Sequence, residues 1–234
     1  MSTSIETDAQ LSRSWEVNAE AWTRVVRDGR IESRRLGTDA AILEAILARM
    51  PRRVLDVGCG EGWLCRALAV HGIETVGVDG SAPLIEAARQ AGGGPYHVLD
   101  YTSLIADPAA LVRRRFDVAV FNFALLDEDP SSLLRAVASR LRLNGALLIQ
   151  TVHPWTARGD APYADGWREE RFASFGDTFA ASTPWYYRTL GSWLRVLGQA
   201  GLTLEVVREP LHPETGIPLS LLLEATPRSQ SRTR

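Results

Sequence analysis

The chain has 234 residues, of which 45% are hydrophobic and 23% are charged, and its formal net charge is −2. This composition is ordinary for a globular protein with a sizeable core, and it gives no electrostatic reason to expect a nucleic-acid partner. All 26 basic residues are arginine, so the chain lacks the lysine that a pyridoxal-phosphate Schiff base or a P-loop requires.

The N-terminus and the cysteines indicate the compartment. The N-terminus is polar and has no secretory apolar core, and no apolar run approaches the ~20 residues that span a bilayer. We therefore expect a cytoplasmic protein with no membrane partner. The only two cysteines, Cys59 and Cys65, suggest neither a disulfide framework nor a zinc site.

The N-terminal part of the chain is predicted to be helical after a disordered start. Residues 1–10 are expected to be disordered or loosely attached, and a helix is expected from Ser14 to Arg27. A second helix, over residues 39–49, has its apolar side chains on one face and stops at Pro51. We expect residues 1–38 to form an N-terminal lid on a single domain that spans residues 1–234.

From residue 54 onward, strands and helices alternate, which predicts an α/β fold with a parallel sheet. The predicted strands are 54–57, 74–78, 96–99, 116–123 and 146–152, and the helices are 62–70, 81–91, 103–114 and 130–142. Residues 153–184 show no clean period. A helix over residues 185–200 and two last strands, 202–208 and 219–225, complete the prediction, with a Pro-rich loop between these strands.

The first strand ends in a turn with three alternate glycines, Gly58, Gly60 and Gly62. Glycine tolerates positive φ and lets a ligand approach the main chain, and a strand–turn–helix layout presents backbone N–H groups to that ligand. A dinucleotide-binding fold would require another glycine at the position of Trp63, where the side chain is far too bulky.

The pattern D-x-G-x-G-x-G at residues 56–62 resembles motif I of the class I S-adenosylmethionine-dependent methyltransferases. Other positions at which that family contacts its cofactor follow in order at the strand ends. Asp79, after the second strand, suits a ribose diol, because a carboxylate accepts two hydrogen bonds. Asp100-Tyr101 matches the position where the family contacts the adenine amino group. Asn122-Phe123 matches the edge that faces the methionine part of the cofactor.

The resemblance covers roughly residues 34–225. It implies S-adenosylmethionine as cofactor and a Rossmann-like sheet of seven strands, mostly parallel with an antiparallel edge strand, with helices on both faces. In several relatives an arginine before motif I pairs with the cofactor's carboxylate; Arg34 lies at a similar remove, with Arg30 and Arg35 as alternatives. The predicted cofactor-binding residues are Trp22, Arg34, Asp56, Gly58, Cys59, Gly60, Asp79, Gly80, Ser81, Asp100, Tyr101, Asn122 and Phe123.

Several of these residues have a purely structural alternative. Asp56 can be an acid that braces the glycine turn, and Cys59 is expected to be a small turn residue rather than a nucleophile. Asp100 can be a helix cap, and Trp22 can belong to the core instead of covering the cofactor. These alternatives stay open at the level of the sequence.

Acceptor specificity in this family lies in insertions, and the chain has an aromatic one. Ten of its 18 aromatic residues lie between His153 and Trp193, so we predict an acceptor-binding insert at residues 153–184. Such density suits an apolar or planar acceptor or a cation, and a second core under a long loop is the alternative. The predicted acceptor-binding residues are Trp155, Tyr163, Trp185, Tyr186 and Tyr187.

A general base is predicted at His153, which leaves the fifth strand beside the expected position of the methyl donor. Its ordinary pKa lets histidine take a proton near neutral pH. A histidine that is hydrogen-bonded in its turn is the alternative, and His212 is a second candidate base. No metal is expected, because the fifth strand ends Gln150-Thr151-Val152-His153, without the acidic and amide ligands of metal-assisted relatives.

These observations predict a methyltransferase that moves a methyl group from S-adenosylmethionine to an oxygen or nitrogen of a small organic metabolite. A peptide or protein acceptor is one alternative. A catalytically silent protein that only binds S-adenosylmethionine is another, and a nicotinamide-dependent dehydrogenase is disfavoured by Trp63. The sequence predicts no oligomeric state.

Overall fold

The computed structural model describes residues 2–109 and 114–228, and its core is a seven-stranded sheet. A separate ribbon of two antiparallel strands begins within the predicted aromatic insert, residues 153–184, and extends past its end to Tyr187. In chain order the strands are β1 Arg53–Val57, β2 Glu74–Asp79, β3 Tyr96–Val98, β4 Phe116–Asn122, β5 Leu141–Val152, β6 Gly166–Glu170, β7 Thr183–Tyr187, β8 Leu202–Arg208 and β9 Ser220–Pro227. Strands β6 and β7 form the ribbon.

The main sheet has the strand order β3-β2-β1-β4-β5-β9-β8. Strands β1 to β5 pair in parallel, while β9 runs antiparallel to both β5 and β8. This arrangement confirms the predicted sheet. The order reverses between β1 and β4, and a doubly wound sheet binds its ligands at the carboxyl ends of the strands beside such a reversal.

Helices cover both faces of the sheet, as predicted. They are α1 Ser2–Val17, α2 Ala19–Arg27, α3 Asp39–Ala48, α4 Trp63–Ala69, α5 Ala82–Ala91, α6 Tyr101–Ala106, α7 Ser131–Ala138, α8 Pro154–Ala157 and α9 Leu190–Gln199. Side chains of α3 and α4, such as Ile46 and Leu68, pack on one face. Those of α6, α7 and α9, such as Leu104, Leu133 and Trp193, pack on the other. Alternate residues of each buried strand therefore supply two separate cores.

The N-terminal prediction was wrong in two respects. Residues 2–10 belong to α1 instead of being disordered, and the helix predicted over residues 14–27 is interrupted at Asn18. The reason for the interruption is tertiary, because the Asn18 side chain hydrogen-bonds to backbone groups of Ala180 and Ala181. A local helical pattern does not reveal such a contact.

Three other helix boundaries also differ. Helix α6 ends at Ala106, before Pro108, and residues 110–113 of the helix predicted over 103–114 lie outside the described part of the chain. Helix α7 ends at Ala138, because a two-residue turn follows and Leu141 already pairs with β4. Residues 185–187 belong to β7, and α9 starts only after its N-cap Thr189. Aromatic residues favour strands, so the Trp-Tyr-Tyr run follows its own propensity here. Among the helices described, none has the length and apolar character to cross a membrane.

Candidate functional site

A cavity of about 1240 Å³ opens at the carboxyl ends of the central strands. One end is lined by the glycine turn and by residues that follow β2, β3 and β4, and the other end by aromatic side chains of the N-terminal helices and of the insert. The predicted stations at the strand ends and part of the predicted aromatic insert therefore face one space.

The glycine turn is close-packed at two of its glycines and open at the third. A Cβ atom at Gly58 would lie 2.4 Å from the Ala124 Cβ, and one at Gly62 would lie 2.6 Å from the Tyr96 hydroxyl. At Gly60 nothing lies within 4 Å of that position. All three residues have φ between +55° and +81°, which glycine adopts at little cost. Gly60 therefore presents bare main chain to the cavity, as a close-fitting ligand requires.

Asp79 lies beside Gly60 and holds the turn. Its Oδ2 accepts a hydrogen bond from the Gly60 N–H at 2.9 Å, and its Oδ1 accepts one from the Ser81 N–H at 2.8 Å. Burial raises the pKa of the Asp79 carboxyl group above its ordinary value, although these two N–H groups oppose that shift. Each carboxylate oxygen keeps a second lone pair for a ligand hydroxyl. Gly80 and Ser81 line the cavity with it.

The next two strand ends complete this half of the cavity. Asp100 lines it and also caps α6, because its Oδ1 accepts the Ser103 N–H at 2.7 Å. The hydroxyl of Tyr101 donates to the Ala124 carbonyl at 2.9 Å. The buried Oδ1 of Asn122 has no hydrogen-bond partner within the described residues. Phe123 has φ of 55°, a left-handed conformation that is uncommon outside glycine and typical of functional turns.

Asp56 and Cys59 were also predicted to contact the cofactor, but their surroundings differ from those of the residues above. Asp56 is buried behind the turn and does not line the cavity; its Oδ2 is 3.6 Å from the Cys65 sulfur. Burial raises the pKa of Asp56 to about 7. Its position fits the alternative of an acid that braces the turn. Cys59 lines the cavity, but burial raises its pKa well above the ordinary value, which disfavours a thiolate nucleophile.

Arg34 is the one of the three arginine candidates that lines the cavity. Its Nε donates to Asp39 Oδ1 at 2.8 Å, and its guanidinium lies 4.4 Å from the centroid of the Trp63 ring. Trp63, whose bulk excluded a dinucleotide turn, thus serves as a platform for this arginine. The remaining guanidinium N–H groups can serve a carboxylate.

Trp22 both lines the cavity and packs in an aromatic cluster. Its ring centroid lies 5.4 Å from that of Trp15, 5.2 Å from Phe172 and 4.8 Å from Phe179. Trp15 and Phe172 line the cavity as well. Trp22 therefore has both of the features considered above, because it lines the cavity and also packs against other aromatic rings.

Of the five predicted acceptor-binding residues, only Tyr186 lines the cavity. Its neighbours Trp185 and Tyr187 alternate to the other side of the ribbon, where Arg168 lies 3.6 Å from the Tyr187 ring centroid. Trp155 is 58% exposed and Tyr163 is 43% exposed, and neither lines the cavity. The sequence prediction missed the period-two alternation because it placed a helix at residue 185.

The aromatic wall that the structure brings to the cavity consists of Trp15, Trp22, Trp167, Phe172, Phe175 and Tyr186. Trp167 and Tyr186 face each other across the ribbon, with ring centroids 5.4 Å apart in an edge-to-face arrangement. The Tyr186 N–H donates to the Leu126 carbonyl at 2.8 Å. This bond attaches the ribbon to the loop that follows β4.

That loop adds an acidic wall that the sequence prediction did not include. Asp127, Glu128 and Asp129 line the cavity, as do Glu16 and Glu170. Glu128 contributes to a raised pKa of Tyr186, after the larger effect of burial. In the part of the chain that is described, no group of three or more His, Cys, Asp or Glu side chains is arranged to hold a metal ion.

His153 does not line the cavity, although the preceding residue, Val152, does. Its Nε2 lies 2.8 Å from Glu209 Oε1, and its buried Nδ1 has no partner among the residues described. The second candidate, His212, accepts backbone N–H groups of its own loop at Nδ1 and lies outside the cavity wall too. Neither of these two imidazoles therefore belongs to the cavity wall.

Comparison with known proteins identifies what this architecture is similar to. A family model described as a methyltransferase domain matches residues 32–207. The ubiquinone biosynthesis O-methyltransferase of Bartonella quintana is 31% identical over 110 residues, which is 46% of this chain and 44% of that relative. The chain thus spans less than half the length of the curated relatives it matches.

Solved structures match over more of the chain. An S-adenosylmethionine-dependent methyltransferase from Mesorhizobium loti is 27% identical, with a TM-score of 0.58, over 78% of this chain and 95% of that one. The magnesium protoporphyrin IX methyltransferase of Synechocystis shares the fold at 18% identity, with a TM-score of 0.60, over 96% of this chain and 98% of that one.

Proposed function

This chain belongs to the methyltransferase domain family and takes S-adenosylmethionine as its cofactor, and on that premise we propose that it methylates an oxygen or nitrogen of a small organic metabolite. The observation that carries the proposal is the single cavity, which joins the glycine turn and the three other strand ends to an aromatic wall. Donor and acceptor can therefore be held side by side in one cavity.

The chain's contribution to the reaction is to bind, align and exclude water. The bound cofactor supplies a methyl group on a positively charged sulfur that leaves as a neutral thioether. Gly60, Asp79 and Asp100 offer the main chain and carboxylates that would hold it, and Arg34 offers a guanidinium for its carboxylate. The rings of Trp22 and Tyr186 narrow the space on the acceptor side. Alignment of reactants in a water-poor site is a major source of rate enhancement for such a displacement.

We propose that His153 is not required as a general base. Replacing His153 by Gln is expected to leave kcat within about threefold of wild type, because its ring is held by Glu209 outside the cavity wall. Loss of a positioned base typically costs 100-fold or more. The measurement is kcat and KM on the best acceptor, with circular dichroism as the control for folding. A fall of kcat by 100-fold or more in a folded variant would restore His153 as the base.

The charge of the cavity wall favours nitrogen as the methylated atom. Three acids in sequence, Asp127 to Asp129, line the wall beside the rings of Trp167 and Tyr186. Of the nearby arginines, the lining Arg195 lies 3.2 Å from Asp165, and the buried Arg188, which does not line the cavity, lies 5.1 Å from the Tyr186 ring centroid. Acidic and aromatic groups together attract a protonated amine, and a wall carboxylate can accept its proton before the nitrogen attacks.

The test is a comparison of matched acceptors that differ in charge. With S-adenosylmethionine saturating, we expect turnover among amines such as phenethylamine to exceed that of 2-phenylethanol and of phenylacetate by at least about tenfold. Formation of S-adenosylhomocysteine is the readout, and a library of amines, phenols and carboxylic acids extends the panel. A preference for the carboxylate would contradict the charge argument.

The same assay separates the alternative functions. Methylation of peptides with no turnover of any small molecule would favour a peptide or protein acceptor. Tight calorimetric binding of S-adenosylhomocysteine without turnover on either library would favour a silent binding protein. Binding of NAD instead of S-adenosylhomocysteine would contradict the assignment of S-adenosylmethionine as the cofactor.

A further inference from the structure

The glycine turn is bonded directly to the N-terminal helices through Glu61. This residue lies between Gly60 and Gly62, lines the cavity, and has a side chain that is only 2% exposed. Its Oε2 accepts the Arg27 Nε at 2.8 Å, and both carboxylate oxygens lie 2.7 Å from the Arg66 Nη2. A buried carboxylate is stable only when it is paired in this way. The position of Arg27, at the end of α2, is therefore tied to the conformation of the turn.

The other end of α2 is bonded to the acceptor side of the molecule through Asn18. This side chain is 1% exposed and lies between α1 and α2. Its Nδ2 donates to the Ala181 carbonyl at 2.7 Å, and its Oδ1 accepts the N–H groups of Ala180 and Ala181 at 2.9 and 3.2 Å. The Thr183 hydroxyl also donates to that of Ser14 at 3.1 Å. Because these bonds are buried or partly buried, α1, α2 and residues 180–183 are expected to move as one unit.

Between these two anchors, α2 contributes to the acceptor wall itself. Trp22 projects from α2 and makes edge-to-face contacts with Phe172 and Phe179, which stack on each other at 4.2 Å. Trp22 and Phe172 line the cavity. Any displacement of α2 therefore changes the shape of the acceptor wall.

We infer that Arg27 is a positioning residue that couples cofactor binding at the glycine turn to closure of the acceptor wall. A ligand bound at the turn holds Glu61 in place, Glu61 holds Arg27, and α2 then keeps Trp22 against Phe172. By linkage, each ligand strengthens the binding of the other by the same factor. The inference rests on the proposed function, since it takes the cofactor to bind at the turn.

The chain offers a matched pair of arginines for the test. Arg27→Gln removes the bond to Glu61 together with a second, exposed bond to the Ala87 carbonyl, whereas Arg24→Gln, one turn earlier on α2, removes an exposed pair with Glu20. We expect Arg27→Gln to release S-adenosylhomocysteine about tenfold faster, within the range typical of coupled sites. Arg24→Gln is expected to match wild type, and Arg27→Lys is expected to recover part of the loss because it keeps a positive charge. Stopped-flow tryptophan fluorescence measures the release rate.

Hydrogen exchange distinguishes coupling from a general loss of stability. In wild type, S-adenosylhomocysteine is expected to protect amides of the turn together with those of residues 14–27 and 180–183. In Arg27→Gln, protection is expected to remain at the turn and to disappear from the other two segments. Unchanged release together with full protection of residues 14–27 in Arg27→Gln would overturn the coupling. Failure of wild type to bind S-adenosylhomocysteine would overturn the proposed function, so the two failures are distinguishable.

Discussion

Replacing Gly60 by Ala is expected to weaken the binding of S-adenosylhomocysteine by about 100-fold or more, equivalent to roughly 2.7 kcal/mol. Gly60 lines the cavity, has φ of +55°, and leaves open space where a Cβ would stand. An added methyl group would occupy the space where the ligand must meet the main chain. The same substitution also costs about 1 to 2 kcal/mol for a left-handed backbone, which affects folding rather than binding.

Gly72 provides the matched control for this prediction. It has φ of +73°, nothing lies within 4 Å of its would-be Cβ, and it lies outside the cavity wall. Gly72→Ala therefore carries the same backbone strain without touching the ligand. Calorimetric titration and thermal unfolding of both variants are the measurements. If the two variants bind S-adenosylhomocysteine equally well, Gly60 does not form the cofactor cradle.

The largest pH effect on stability is expected from Asp56. Burial raises the pKa of this carboxyl group from 3.8 to about 7, so the folded protein holds its proton more tightly than the unfolded chain does. The stabilisation from this proton is fully present below pH 4 and is lost as the pH rises through about 7. The total loss is roughly 4 kcal/mol, of which roughly 3 kcal/mol falls between pH 5 and pH 8. Asp56→Asn cannot ionise, so the variant is expected not to lose stability through this group as the pH rises.

Urea unfolding of wild type and Asp56→Asn at pH 5 and pH 8 measures this effect. The free energy of unfolding of the variant, relative to wild type, should rise by roughly 3 kcal/mol over that interval. Asp117→Asn is the control. Burial favours the neutral form of Asp117, but N–H groups of Arg52, Arg53 and Arg142 outweigh it and lower its pKa. Asp117 therefore titrates below this interval. Parallel pH curves for wild type and Asp56→Asn would contradict the assignment of the proton to Asp56.

The fold could be predicted because its signals are local. Short apolar runs and capping residues are each contained within a few neighbouring residues, and they predicted the parallel sheet. The resemblance of residues 56–62 and of the next strand ends to a known family implied the family and the cofactor. The stations Asp79, Asp100 and Asn122 could be named for the same reason. Parallel strands bring their carboxyl ends to one edge of the sheet, so residues that follow successive strands in the chain lie close together in space.

The acceptor side could not be predicted in this way. Whether Trp185 or Tyr186 faces the cavity depends on whether residues 185–187 form a helix, as predicted, or the observed strand, in which neighbouring side chains alternate between the two sides of the ribbon. His153 directly follows Val152, which lines the cavity, yet its side chain pairs with Glu209, 56 residues away in the chain. The contact of Asn18 with Ala181 spans 163 residues, and it cannot be predicted from the periodicity of either segment.

The sequence by itself thus determined the sheet, because strand periodicity and turn residues act over short stretches of chain, and its resemblance to a known family implied the cofactor. Only the tertiary structure decided which rings and carboxylates line the acceptor end and how α2 is tied to both ends of the cavity. Those features depend on packing between segments far apart in the chain. Such contacts become favourable only after the sheet has brought the segments together.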